Sequence, residues 1–198
     1  MPAGPLRASA RAPALGATGA AQLIPGFKPE NEVERRLVAD PVLFEGMAWG
    51  KPRSGHPEGP VGTHVGDLLR TVDEWGELEP RRSELRFLAL VHDALKNKVQ
   101  YWRPRTGENH HAMRARRFAE RYTGDERLLS TIELHDRPYS IWKKMRRRGR
   151  PDERRLGDLL DRIVDPGLFL RFLELDASTE GKDGEPIRWF RQVLEERS

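Results

Sequence analysis

The strongest constraint on the fold is a set of polar residues placed where helices usually carry apolar ones. Apolar residues that recur three and four positions apart share one face of a helix. His92 lies four residues after Leu88 and three before Leu95 on such a face, and Asp176 lies four residues after Phe172. The full set comprises His64, His92, Asp93, His111, His135 and Asp176.

Burying these groups separately is unfavourable, because an unpaired buried charge costs several kcal/mol or is removed by a pKa shift. A lone histidine on an apolar face is more often a hydrogen-bonded core residue than a ligand, and a lone aspartate at a helix end is more often a cap. Here, however, five separate segments carry such groups, and that coincidence favours a shared positive charge. The sequence therefore predicts a metal centre inside a helical bundle.

No segment alternates as a strand does and no internal repeat is apparent, so we expect an all-α bundle. Residues 27–198 are expected to form one domain, and the Ala-, Pro- and Gly-rich residues 1–26 to have no fixed structure. The predicted helices are Pro29–Trp49 bent near Pro41, one capped by Thr63, one from Pro80 to Asn97, Glu108–Tyr122, one opened by Asp125, a short one after Pro138, Asp152–Leu175 interrupted at Asp165–Pro166, and Pro186–Glu196.

The chain contains no cysteine, which excludes disulfides, thiolate zinc sites and a cysteine nucleophile. Any metal must be bound by nitrogen and oxygen, so we expect one or two divalent ions from among Fe, Mn, Mg, Co, Ni and Zn. No apolar run approaches the roughly 18 residues that a membrane span needs, and no secretory h-region is apparent. These features favour a cytoplasmic protein with no membrane partner.

Three stretches surround the polar set: His56–His64, Leu88–Lys96 with its Val-His-Asp centre, and Asn109–Ala119 with its His-His pair. With the order His … His-Asp … Asp, they resemble the HD-domain superfamily of metal-dependent phosphohydrolases. The resemblance extends from about Gly55 to Asp176. It implies a helical HD domain built around a central metal site.

The resemblance also implies roles for single residues. The first metal ion would be bound by His64, His92, Asp93 and Asp176, and a second by His111 and His135 with Asp93 bridging. Asp93 and Lys96 would act in catalysis, Lys96 by contacting a substrate phosphate, although a solvated lysine at a helix end is an equal interpretation. The chain departs from the family after Lys96, which is followed by Asn-Lys-Val-Gln-Tyr-Trp, and at Arg114.

Two further residues are additional candidates. His110 lies one position off the apolar stripe and competes with His111 for the inner position, because helix phase is uncertain by a residue. Lys182 follows Asp176 on a Gly-containing loop and offers another phosphate contact, although a plain surface loop is the commoner case.

We therefore expect a phosphohydrolase that cleaves phosphomonoesters or phosphodiesters of nucleotide-like character through a metal-activated hydroxide. A mixed-valent di-iron oxygenase with the same ligand order is one alternative. The other is a nucleic-acid-binding protein with a vestigial metal pocket, suggested by the basic run Lys143–Arg150 and by Arg154 and Arg155. The simpler interpretation of that run is a solvated connecting segment. Substrate, metal identity and oligomeric state do not follow from the sequence.

Overall fold

A computed structural model describes residues 19–52, 59–179 and 181–197. All regular structure in these ranges is helical, which confirms the predicted all-α class. His56 and residues 1–18 of the predicted tail lie outside the described residues. The α-helices are α1 Glu32–Val38, α2 Pro41–Met47, α3 Val61–Trp75, α4 Arg81–Val91, α5 His111–Ala119, α6 Glu126–Leu134, α7 Arg137–Arg148, α8 Glu153–Leu160, α9 Pro166–Ala177 and α10 Glu185–Arg197.

Short polar side chains begin several of these helices. The carboxylates of Asp40, Asp125 and Asp165 accept hydrogen bonds from backbone N–H groups in the first turns of α2, α6 and α9. Such caps satisfy N–H groups that have no partner inside the helix. The caps at Asp40 and Asp165 lie at the two proline sites where the sequence predicted interruptions.

Several predicted boundaries differ from the structure. The third α-helix begins at Val61 after Pro60, two residues before the predicted cap Thr63. The fourth ends at Val91 rather than near Asn97, because the imidazole of His92 binds the carbonyl groups of the last turn, and a separate 3-10 turn follows over Lys96–Lys98. A 3-10 turn over Gly107–Asn109 likewise precedes α5, which ends at Ala119.

The basic run is not a connecting segment. Pro138 lies in the first turn of α7, where its missing N–H is tolerated, and the helix then continues to Arg148. Gly149 ends it with a positive φ of 76°. Most of the basic run therefore belongs to a regular helix.

The segment before α1 also differs from its prediction. Ala20–Leu23 forms a 3-10 turn, and Ala20 and Ile24 are buried in the core. The structured part of the chain therefore begins before Gly26.

Two hydrophobic clusters build the interior. The larger joins α1–α6 with one face of α9 through Leu37, Leu68, Leu88, Ile132 and Phe172. The smaller joins α7, α8 and α10 to the other face of α9 through Ile141, Leu159, Phe169, Leu173 and Phe190. Because α9 contributes to both clusters, it fixes the position of Asp176 from two sides.

A close backbone approach fixes the segment after the predicted ligand pair His92–Asp93. A Cβ atom at Gly46 of α2 would lie 1.9 Å from the carbonyl oxygen of Ala94. Only glycine therefore allows α2 to lie against this turn.

No α-helix in the described ranges is long and apolar enough to cross a membrane.

Candidate metal centre

The predicted ligands lie at helix ends that meet inside the larger cluster. His92 and His135 are the residues that end α4 and α6, and Asp176 lies in the last turn of α9. His111 begins α5, and His64 lies in the first turn of α3. The carboxyl ends of helices carry partial negative charge, so three of these ends favour a cation at the point where they meet.

The first group of ligand atoms, here called the inner triad, consists of His64, His92 and Asp176. Oδ1 of Asp176 lies 3.0 Å from Nε2 of His64 and 3.6 Å from Nε2 of His92. The two histidines are buried, and the Asp176 side chain is 25% exposed. The triad therefore offers two nitrogens and one oxygen to a single ion.

The second group, the middle triad, consists of Asp93, His111 and His135. Oδ1 of Asp93 lies 3.5 Å from Nε2 of His111 and 3.7 Å from Nε2 of His135. Its other oxygen, Oδ2, lies 3.3 Å from Nε2 of His92 in the inner triad. The two oxygens of one carboxylate thus lie beside different triads, which is the placement that a bridging ligand requires.

Hydrogen bonds to backbone carbonyl groups orient two of the imidazoles. Nδ1 of His92 lies 3.2 Å from the carbonyl oxygens of Leu88 and Ala89, and Nδ1 of His135 lies 2.8 Å from that of Ile132. In the neutral ring, Nδ1 carries the proton that these carbonyls accept, so Nε2 keeps its lone pair on the inner side. Such carbonyl partners set the tautomer of metal-binding histidines.

Buried polar atoms without partners indicate that a cation fits between the triads. Nε2 of His92 and Oδ1 of Asp93 are fully buried and have no hydrogen-bond partner among the described residues. Leaving such atoms unsatisfied costs about 1–3 kcal/mol each. A metal ion bound by these atoms would remove that cost, and both are donors that divalent transition metals accept.

A third group, the outer triad, contains a carboxylate that the sequence interpretation missed. It consists of His110, His111 and Asp136. Oδ2 of Asp136 lies 3.0 Å from Nε2 of His111, and Oδ1 lies 3.5 Å from Nε2 of His135. The overlooked signal is a second His-Asp dipeptide, at 135–136, which repeats the one at 92–93.

The outer triad also distinguishes the two adjacent histidines. Nδ1 of His110 accepts a hydrogen bond from the backbone N–H of Ala112 and so caps α5. Its Nε2 is 3.9 Å from Asp136, and its side chain is 34% exposed. His111 is 14% exposed and reaches Asp93, so the geometry places His111 nearer the centre and His110 at the rim.

Two lysines contact the carboxylates of the triads. The ammonium group of Lys96 donates a hydrogen bond to Oδ2 of Asp93. Nζ of Lys182 lies 2.6 Å from Oδ1 and 2.7 Å from the backbone carbonyl oxygen of Asp176. Both lysines that the sequence predicted as phosphate contacts therefore lie in direct contact with a predicted metal ligand.

The proximity of these charges shifts their pKa values. Burial lowers the pKa of His92, but Asp93 and Asp176 outweigh it and raise that pKa to about 9. Burial raises the pKa of Asp93, but Lys96 and His92 outweigh it and hold that pKa well below its usual range. Lys182 and His64 have the same effect on the pKa of Asp176. Both carboxylates are therefore ionised, and a metal ion that binds Nε2 of His92 would displace the proton that this raised pKa keeps on the ring.

A cavity of about 350 Å³ opens beside the middle and outer triads. It is lined by Trp49, Lys96, Val99, Tyr101, Arg105, His110, His111 and Asp136. The guanidinium of Arg105 lies 6.0 Å from the centre of the Tyr101 ring and pairs with no carboxylate of the described residues. The cavity thus places two cationic groups and an aromatic ring next to the candidate metal ligands.

All six predicted ligands, and both lysines, are brought together in this region. Comparisons with protein-family models, with curated proteins and with solved structures found no match for this chain. What the site does must therefore be argued from its residues and from the sequence resemblance.

Proposed function

We propose that this chain is a metal-dependent phosphohydrolase of the HD type that acts on small phosphorylated substrates. One observation carries the proposal: the two oxygens of Asp93 lie 3.3 Å and 3.5 Å from imidazoles of two separate sets, and neither Oδ1 of Asp93 nor Nε2 of His92 makes a hydrogen bond within the described residues. The order of these residues in the sequence, which resembles that of HD domains, supports the same conclusion.

The inner triad and Oδ2 of Asp93 would hold one divalent ion, and the middle triad would hold a second. When bound, such ions make a water molecule acidic enough to act as a nucleophile at neutral pH and offset negative charge on a phosphoryl group. The protein supplies the fixed positions of the ligand atoms, because the helix ends and the carbonyl contacts of His92 and His135 hold the rings.

The cationic side chains of the cavity would bind and orient the phosphate. Lys96 lies at the inner end of the cavity beside Asp93, and Arg105 lines its wall. Lys96 contacts Asp93, and its ammonium group would be free to contact a phosphate oxygen if Asp93 bound a metal ion instead. The phosphate would then lie between Lys96, Arg105 and the ligand cluster, which is the arrangement that stabilises charge in phosphoryl transfer.

The cavity also favours a substrate with a flat ring. Tyr101 and Trp49 line it together with the imidazoles of His110 and His111. Its volume of about 350 Å³ is within the range of small-molecule sites and accommodates a molecule of mononucleotide size. We therefore favour nucleotide-like phosphomonoesters or phosphodiesters as the substrate class.

The test combines metal analysis with a substrate panel. The chain is purified without chelators, its metal content is measured, and phosphate or nucleoside release is followed with nucleoside monophosphates and an aryl phosphodiester. His92→Ala should abolish release while the circular dichroism spectrum keeps its helical form. Arg70→Ala, on the exposed side of α3, is the matched control and should keep full activity.

Two results would contradict the proposal. One is phosphate release that persists undiminished in His92→Ala. The other is a protein that contains two redox-active irons, consumes O₂ and hydrolyses no member of the panel, which would identify the oxygenase instead.

A further inference from the structure

Six cations in and just after the second half of α7 form a surface that the proposed hydrolysis does not use. They are Lys143, Lys144, Arg146, Arg147, Arg148 and Arg150, here called the basic face of α7. No acidic residue occurs between Asp136 and Asp152. Like charges one turn apart on a helix destabilise it, so folding alone does not favour this arrangement.

The cations of this surface differ from those on the other helices. Arg82 contacts Glu30 and Asp73, and Arg116 contacts Glu120, Glu126 and Glu133. By contrast, none of the six cations on the basic face has a carboxylate partner in the part of the chain that the structure describes. Their charge is therefore available to an anionic partner, and a nucleic acid that bound them would release counterions from its phosphates.

Two aromatic rings lie along the same helix among these cations. The rings of Tyr139 and Trp142 stack with centroids 6.1 Å apart and planes 28° apart. Nζ of Lys143 lies 5.7 Å from the Tyr139 ring, and Arg146 lies 5.8 Å from the Trp142 ring. The spacing 139, 142, 143 and 146 places these four residues on one side of the helix. Tyr139 is 49% exposed, so its ring is accessible.

The opposite side of α7 is fixed to the protein. Ile141 is buried in the smaller hydrophobic cluster, and α7 packs against α10. Apart from its aromatic rings, the accessible side carries no apolar residue that would enter a lipid layer, since Met145 follows Ile141 by four residues and lies half-buried on the packed side. The surface is therefore rigid, cationic and aromatic.

We propose that the basic face of α7 binds single-stranded nucleic acid. Its cations would neutralise successive phosphates, and a base would stack on Tyr139. Bases are available for stacking only where they are unpaired, and proteins that bind single strands combine a cationic track with aromatic side chains. The helix begins directly after Asp136, so the surface runs outward from the rim of the metal centre. This binding does not depend on the proposed hydrolysis.

The test uses the full chain in the presence of a chelator, so that hydrolysis cannot interfere. A fluorescein-labelled oligouridylate of roughly 12 nucleotides, within the range of single-strand sites, is titrated and followed by fluorescence anisotropy. We expect binding that weakens steeply as salt concentration rises, because counterions are released. The triple variant Arg146→Glu, Arg147→Glu, Arg148→Glu should bind at least about tenfold more weakly.

A matched variant distinguishes the effect of this surface on binding from the effect of net charge. Arg35→Glu, Arg70→Glu, Arg117→Glu changes the net charge by the same amount at exposed positions on α1, α3 and α5. It should keep most of the binding. Tyr139→Ala removes no charge and should weaken binding about fivefold or more if a base stacks there. Circular dichroism of each variant shows whether α7 and the bundle are retained.

Four outcomes would overturn the proposal. Equal losses in the two triple variants would assign the binding to net charge alone. Unchanged affinity in Tyr139→Ala, or equal displacement of the oligonucleotide by polyglutamate, would show a surface for any polyanion. Tighter binding to vesicles of anionic lipid than to the oligonucleotide would identify a membrane surface instead. Failure of the hydrolysis assay would leave this result unaffected.

Discussion

The two His-Asp dipeptides of this chain occupy equivalent positions in their helices and different environments. His92 and His135 are the C-terminal caps of α4 and α6, and each imidazole binds a carbonyl group of its own last turn. The following carboxylates differ, because Asp93 is 6% exposed and Asp136 is 44% exposed. A dipeptide alone therefore does not determine whether its carboxylate belongs to the interior or to the rim of a cavity.

The residues that follow each dipeptide explain the difference. After Asp93 the chain continues into Ala94 and Leu95, which are buried, and Gly46 of α2 lies against this turn. After Asp136 the chain starts α7 at Arg137, which is exposed. We therefore expect Asp93 to bind metal and Asp136 to contribute less, from the rim of the cavity beside His111.

The largest effect should follow from Asp93→Asn. The amide keeps the volume of the side chain but removes the charge that would be shared between two ions. We expect phosphate release to fall by about a thousandfold or more, since the chemistry depends on the metal ions. Elemental analysis should show at most one ion per chain. Full metal content together with full activity would show that Asp93 is not the metal ligand that sets the two dipeptides apart.

The second-largest effect should be a loss of thermal stability when bound metal is removed by a chelator. A ligand present at a hundred times its dissociation constant stabilises the folded state by about 2.7 kcal/mol. For a chain of this length, that corresponds to a fall in Tm of about 5–11 °C after chelation. Scanning calorimetry with and without chelator measures it. The fall in Tm on chelation should be smaller in Asp93→Asn and unchanged in Asp136→Asn. Identical falls in the two variants would show that the two carboxylates contribute equally to metal binding.

Asp136→Asn should have a smaller effect on catalysis than Asp93→Asn. Its oxygens lie 3.0 Å and 3.5 Å from Nε2 of His111 and of His135. Both contacts are to nitrogens that would bind the second ion, so Asp136 adds negative charge beside that ion, and loss of such a surrounding group typically costs about 10–100-fold in activity or metal affinity. We expect a fall in that range, with metal content largely kept. A loss as complete as that of Asp93→Asn would place Asp136 among the metal ligands.

Much of the fold was predictable because helical spacing and caps are local signals. Asp40 and Asp165 were recognisable as interruptions because each precedes a proline. The burial of His64, His92 and Asp93 followed from their places on apolar stripes. The end of α4 was not predictable, since it depends on the imidazole of His92 binding backbone carbonyls, a contact that spacing does not encode.

Two features of the structure could not be predicted from the sequence. Asp136 was missed because it lies between α6 and α7 and extends no apolar stripe, and only the approach of α5 brings His111 to it. The stacked pair Tyr139–Trp142 was likewise hidden, because the short helix predicted after Pro138 did not extend through the basic run, so the rings and the cations were not placed on one helix. In both cases the missing information was the orientation of an element, not its composition.

The smallest effect should distinguish His110 from His111 within the outer triad. His110→Ala removes the acceptor of the N–H of Ala112, and a side-chain cap of this kind stabilises a helix by about 1 kcal/mol. We therefore expect a Tm lowered by about 2–4 °C and an unchanged metal content. His111→Ala, the matched change one residue later, should instead lose metal, because Nε2 of His111 lies 3.5 Å from Asp93. If His110→Ala alone lost metal, His110 rather than His111 would be the ligand, and the second ion would lie farther out, toward Asp136.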